Sequence, residues 1–161
     1  MSNLSREEIE RRLRCAIGRL RERDGYLLDV DVNERSVTHW LANYIQEEFP
    51  TWNVDVEYNR DRKDPKRQWL STVRVPTNDL HGDTVYPDII VHHRNSDNNL
   101  VVVEVKKEGG EAPAMDEKKL MEFTKPTTQH GLGYRFGLLL VMRNGQEPSW
   151  AWFSNGMKEE S

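Results

Sequence analysis

Apolar and polar positions recur with two different periods along this chain, and the changes of period mark its elements. Ile9, Leu13, Ile17 and Leu20 recur at helical spacing, Ser5 followed three residues later by Glu8 is a capping-box pattern, and Arg-Asp-Gly closes the run. The spacing predicts an amphipathic helix over about 5–23. Val37, Leu41, Tyr44 and Ile45 form one face of a second helix, which Asn33 can cap and Phe49-Pro50 stops. In 52–58 the period falls to two, with Trp52, Val54, Val56 and Tyr58 on one side of a half-buried strand. A loop over 60–68, a strand over 69–75 and an unpatterned loop over 76–83 follow.

Residues 85–107, VYPDIIVHHRNSDNNLVVVEVKK, are two apolar runs around a polar tip. An antiparallel pair that sets Asp88 opposite Glu104 or Lys106 must turn at residue 96 or 97, inside Asn-Ser-Asp-Asn-Asn, the strongest turn signal in the chain. Period two then sets Leu100, Val102, Glu104 and Lys106 on one face and Val101, Val103 and Val105 on the other. Beyond the hairpin, 115–124 reads as a short helix capped near Asp116, 134–143 as a buried strand, and SWAWF, 149–153, as an edge strand. The order α, α, β, β, β, β, α, β, β predicts one α/β domain over 1–161, without internal repeats.

Composition narrows the class. At 161 residues the chain is long enough to bury a core unaided, and its five tryptophans and aliphatic runs argue against disorder despite 31% charged residues. The single Cys15 excludes an internal disulfide and a cysteine-based metal centre. No apolar run has the length of a signal peptide or membrane span, so the expected setting is the cytoplasm, with no membrane partner. Net charge is −4, yet 58–74 concentrates Arg60, Arg62, Lys63, Lys66, Arg67 and Arg74 against Asp61 and Asp64. That patch is the expected contact for nucleic-acid phosphates. The arginines of the first helix, laced with Glu7, Glu10 and Glu22, read as a solvated face.

Two carboxylates brought together at a hairpin end repel each other, and burying both ionised requires a cation. Mg²⁺ or Mn²⁺ suits oxygen ligands and completes its shell with water and substrate phosphate. A lysine on the strand face of Glu104 would sit beside that ion, able to manage a nucleophilic water and offset charge at phosphorus. Asp88, Glu104 and Lys106 thus read as a site for phosphodiester hydrolysis.

Pro87-Asp88 and Glu104-Val105-Lys106, fifteen residues apart between the two carboxylates, resemble the PD-(D/E)XK nucleases, the restriction-endonuclease-like phosphodiesterases. The resemblance spans about 33–143. It implies an αβββαβ core with a central mixed sheet flanked by helices, here with an extra N-terminal helix, and a divalent-metal-dependent nuclease, DNA ahead of RNA. Many members also carry a metal- or water-holding glutamate on the helix before the first strand. Glu34 is the best match here, with Glu57 as its rival, while Glu47 and Glu48 read as surface residues. Lys118 and Lys119 read as a solvated helix face, and Tyr134 as a core or strand-end residue. Trp69 beside Arg67 could stack on a base, although strand tryptophans usually pack. His92 and His93 are assigned surface roles, because adjacent strand residues point to opposite faces and cannot chelate one ion together.

A homodimer or a partner protein could supply specificity. The rival class is a non-catalytic nucleic-acid-binding or regulatory subunit of a larger DNA-processing or defence complex that keeps the nuclease fold.

Overall fold

Val101, Val102, Val103 and Val105 are buried on both sides of a central strand, as a continuous β-branched run requires when a sheet is covered on both faces. In the computed structural model, the described residues are 3–29, 34–56, 74–75, 83–84, 87–109, 114–129 and 132–160. They form, in chain order, α1 (Arg6–Asp24), α2 (Glu34–Glu48), β1 (Asn53–Val56), β2 (Arg74–Val75), β3 (Asp83–Thr84), β4 (Ile89–His92), β5 (Asn99–Lys107), α3 (Ala114–Thr124), β6 (Phe136–Met142), β7 (Ser149–Ser154) and β8 (Met157–Lys158). Six strands make one mixed sheet in the order β1-β4-β5-β6-β7-β8, in which only the β5–β6 pair is parallel. A parallel neighbour needs a crossover, and α3 supplies it.

The first helix begins where the capping pattern says. Ser5 Oγ accepts from Glu8 N–H at 3.1 Å, although Glu8 turns its carboxylate to Arg11 and Arg12 instead of completing the box. Both α1 and α2 lie against one face of the sheet, burying Leu13, Ile17, Leu41 and Ile45 on Ile89, Val101, Val103, Val105 and Leu140. On the opposite face α3 packs Leu120 and Phe123 onto Ile90, Val102, Leu139 and Phe153. Gly137 lets α3 come close, since a Cβ there would meet Thr124 Cγ2 at 3.1 Å, Leu120 Cδ2 at 3.2 Å and Phe153 Cβ at 3.3 Å. No helix among the described residues is long and apolar enough to cross a membrane.

Several expectations need correction. The 69–75 strand is described only as Arg74–Val75, which pairs with Asp83–Thr84 in a separate two-stranded ribbon and not with the main sheet. SWAWF lies in β7, an interior strand, because the two-residue β8 forms the sheet's edge beyond it. A register shift between Val91 and His92 breaks strict alternation, so Leu100 joins the α1–α2 side rather than the Val102 face. The Asn33 cap, Tyr58, Glu57, Trp69 and the basic residues Arg60, Arg62, Lys63, Lys66 and Arg67 lie outside the described residues.

The two histidines also differ from expectation. His92 is fully buried, with Nε2 at 2.6 Å from Asp55 Oδ2, and Arg94 closes on the same carboxylate at 3.0 and 2.6 Å. The buried Asp55 opposite the hairpin requires such partners, and His92 on the adjoining strand supplies one. His93 is half-buried and stacks on Trp52 with ring centroids 4.0 Å apart.

Candidate active site

The hairpin register fixes the centre of the site. Ile89 pairs with Val103, which sets Asp88 across from Glu104, and Asp88 Oδ2 accepts from Val105 N–H at 2.9 Å. Pro87 immediately before it is buried, holding the entry to β4 in place. Glu104 and Lys106 share the face toward α3, as period two requires. At the far side of the strand end, Glu34 reaches over from the first turn of α2 and accepts from Lys107 N–H at 3.1 Å. Asp88, Glu104, Lys106 and Glu34 therefore line one cleft of about 360 Å³, beside the C-terminal end of β5.

Two further residues complete the cleft wall, and both come from α3. Lys119 Nζ lies 3.0 Å from Glu104 Oε1, and Lys106 Nζ lies 3.1 Å from Asp116 Oδ2. Lys119 is thus a correction: its side chain is only 14% exposed and points into the site, whereas Lys118 is exposed. A signal for this existed in the sequence. Asp116, Lys119, Leu120 and Phe123 recur at the spacing of a single buried stripe, so two charges stand where a sheet-packing helix should be apolar. The crossover helix must return over the sheet face that carries Glu104 and Lys106. From α2, Arg35 and His39 also line the cleft and add cationic or polar character to its mouth.

Electrostatics in the cleft follow from burial. Glu104 is 1% exposed, and desolvation, then the neighbouring Asp88 charge, push its carboxyl well above the usual carboxylate range despite the opposing pull of Lys119. Its Oε1 lies 3.0 Å from the Lys119 ammonium. For both lysines burial works against the charge, yet their carboxylate neighbours win and raise their pKa values above the ordinary lysine value. Asp116, with Glu34 and Asp88 behind it, acts on Lys106, while Glu104, Asp88 and Asp116 act on Lys119. Both side chains are ammoniums at neutral pH.

These groups suit a hard divalent ion. Asp88 and Glu104 offer paired carboxylates, one of them fully buried, and Mg²⁺ typically takes one or two carboxylates plus water. Among the described residues no group of three or more His, Cys, Asp or Glu side chains closes on a common metal position, and Glu34 accepts from the Lys107 amide. A second cleft, of about 400 Å³, lies at the opposite end of β4, lined by Trp52, His93, Arg12 and Arg135. It contains no carboxylate, so it offers no comparable chemistry for a cation. No family model, no curated protein and no solved structure was found to match the chain.

Proposed function

We propose that the chain is a divalent-metal-dependent nuclease that hydrolyses phosphodiester bonds, with DNA as its first candidate substrate, built on a PD-(D/E)XK-type core. The observation that carries this reading is the convergence of Asp88, Glu104 and Lys106 in one cleft, with Glu34 at its rim. Topology supports it as well. The sequence α2, β1, β4, β5, α3, β6 follows an αβββαβ order, with the β2–β3 ribbon inserted between the first two core strands.

Asp88 and Glu104 would hold Mg²⁺ or Mn²⁺, with Glu34 next to them. When bound, such an ion supplies Lewis-acid charge to phosphoryl oxygens. The chain's own residues do the rest. Lys106 would donate hydrogen bonds to a water and offset developing negative charge at phosphorus. Asp116 fixes the direction of that ammonium. Arg35, at the cleft mouth, and the basic segment with Arg60, Arg62, Lys63, Lys66 and Arg67 are candidates for the contacts to substrate phosphates. Cutting both strands of a duplex requires two such sites, which a homodimer or a partner protein would provide.

One observation favours the rival reading of a non-catalytic subunit: both cleft lysines are already paired with carboxylates. One assay separates the two. Labelled single-stranded, duplex, nicked and four-way-junction DNA are incubated with the protein and Mg²⁺ or Mn²⁺, beside Asp88→Ala and Lys106→Ala. Cleavage by the wild type that both variants lose is the expected result. Absence of metal-dependent cleavage from folded protein on every substrate would overturn the nuclease reading in favour of the binding subunit.

A further inference from the structure

Strand β5 and helix α3 present opposite charges to each other in matched order. The strand offers Glu104 and then Lys106, two residues apart on one face; the helix offers Asp116 and then Lys119, three apart on one face. The pairs cross, with Lys106 on Asp116 and Lys119 on Glu104, at 3.1 and 3.0 Å. The two bridges are not equivalent. Asp116 is a partner for the lysine of the proposed site, whereas Lys119 sits against one of the two carboxylates that would hold the ion. Glu104 is fully enclosed, so the negative charge it shares with Asp88 needs a cation whether or not metal is present. Lys119 is the cation that the fold itself delivers there.

We propose that Lys119 is a built-in counter-ion that occupies the Glu104 side of the site and is displaced when a divalent cation binds, so that it sets the metal affinity of the protein. This rests on the nuclease reading for the existence of the metal site, and goes beyond it by assigning Lys119 as a positioning residue that acts through Glu104. Three features of the cleft carry it. The Lys119 ammonium lies 3.0 Å from Glu104 Oε1, on a carboxylate that would hold the ion, so the ammonium and a dication compete for the same group. Its stem leaves from the helix, so the ammonium can swing into the open cleft while the helix stays packed through Leu120 and Phe123. Finally, the cleft lining carries four acids, Glu34, Asp88, Glu104 and Asp116, against Lys106, Lys119 and, at the mouth, Arg35 with His39, so the acids outnumber the permanent cations and a dication adds the charge that is missing. Once displaced, the ammonium remains in the cleft and is available to an anionic substrate.

The test uses Mn²⁺ alone, with no nucleic acid. Titration calorimetry compares the wild type with Lys119→Gln, which removes the charge, and Lys119→Arg, which keeps it. The expected result is Mn²⁺ affinity at least fivefold tighter in Lys119→Gln and within twofold of the wild type in Lys119→Arg. An affinity in Lys119→Gln equal to or weaker than that of the wild type, in protein that unfolds cooperatively in EDTA, overturns the proposal while leaving the nuclease reading intact. No Mn²⁺ binding by any of the three proteins overturns both. A second measurement needs no variant. The side-chain ammonium of Lys119, followed by nitrogen-15 NMR in the wild type, should lose its protection from water exchange on addition of Mg²⁺. An unchanged signal at saturating Mg²⁺ overturns displacement.

Discussion

Lys106 Nζ stands 3.1 Å from Asp116 Oδ2, so the lysine that shares a strand face with Glu104 is aimed by a residue on a different element, the crossover helix. A side chain of four rotatable bonds otherwise has many ways to miss its target. Asp116 removes most of them.

Asp116→Asn should therefore lower metal-dependent cleavage by roughly 10–100-fold, the usual cost of losing a residue that orients a site group, with Mn²⁺ affinity little changed. Stability should change too. A lysine whose native pKa is raised contributes stability that is present in full below its unfolded value, 10.5, and is lost as pH rises through the native value. At neutral pH the variant should thus be less stable by about 1 kcal/mol, appropriate for a partly exposed ion pair, and this gap should close at strongly alkaline pH. Urea unfolding at both ends of that range checks the sign; a gap that widens with pH would sink the idea.

Asp88→Asn should stabilise the metal-free protein. The amide keeps an oxygen for Val105 N–H but removes the negative charge beside buried Glu104. A carboxyl whose native pKa is raised binds its proton more tightly in the folded chain, so its contribution is full below the unfolded value, 4.5, and falls as pH rises from there to the native value. Removing Asp88 relieves part of that fall. We expect a melting temperature about 2–4 °C higher in EDTA at neutral pH, corresponding to about 1 kcal/mol, and a smaller rise on addition of Mn²⁺ than the proposed metal site would give the wild type. Calorimetry showing a lower melting temperature would contradict the proposed repulsion.

Asp55→Asn addresses structure rather than chemistry. Its carboxylate is 3% exposed and serves both buried His92 and half-exposed Arg94, so neutralising it weakens both contacts. The loss should be about 1–3 kcal/mol, the cost of disturbing a buried hydrogen-bonded polar group. Mn²⁺ affinity should stay constant in the folded variant, because this cluster lies at the other end of β4 from Asp88. A small stability change, below that of a surface substitution, would show that the cluster is not a structural keystone of the sheet edge.

Gly137→Ala tests how closely α3 must approach. The added methyl meets Thr124, Leu120 and Phe153 at 3.1–3.3 Å, and overpacking of this kind costs about 1–3 kcal/mol. Adding Thr124→Ser removes the Cγ2 contact while keeping the hydroxyl that bonds Leu120 O and Gly156 N–H, and should restore part of the loss. Thermal unfolding of the single and double variants checks this; an uncorrected loss would mean that the strain lies elsewhere.

Much of the site was legible because its signals are local. The turn residues 95–99 fix the hairpin register, and the register brings Asp88 to Glu104 without any knowledge of the remaining fold. Lys106 follows from strand alternation alone. What could not be read depended on long-range packing. Lys119 looks like a solvated residue until α3 is laid across the sheet, and His92 looks superficial until Asp55 of β1 is set beside its strand. Alternation failed at Leu100 because a register shift has no fixed sequence mark, and 69–75 gave a strand-like pattern whose described part pairs away from the main sheet. Glu34 was the intermediate case: its helix was evident, but its meeting with Lys107 is a contact across 73 positions.

That contact, together with the one between Asp88 and Val105, finishes the end of β5 with side chains in place of a neighbouring strand. Two backbone amides, two residues apart, are bonded to carboxylates of the cleft. Their hydrogens can exchange with solvent only when Asp88 or Glu34 lets go, so their exchange rates form a clock for each acid separately. A ligand that draws one carboxylate away would quicken one amide and leave the other unchanged, and the state of the cleft could be read from the backbone of a protein that carries no label in the cleft itself.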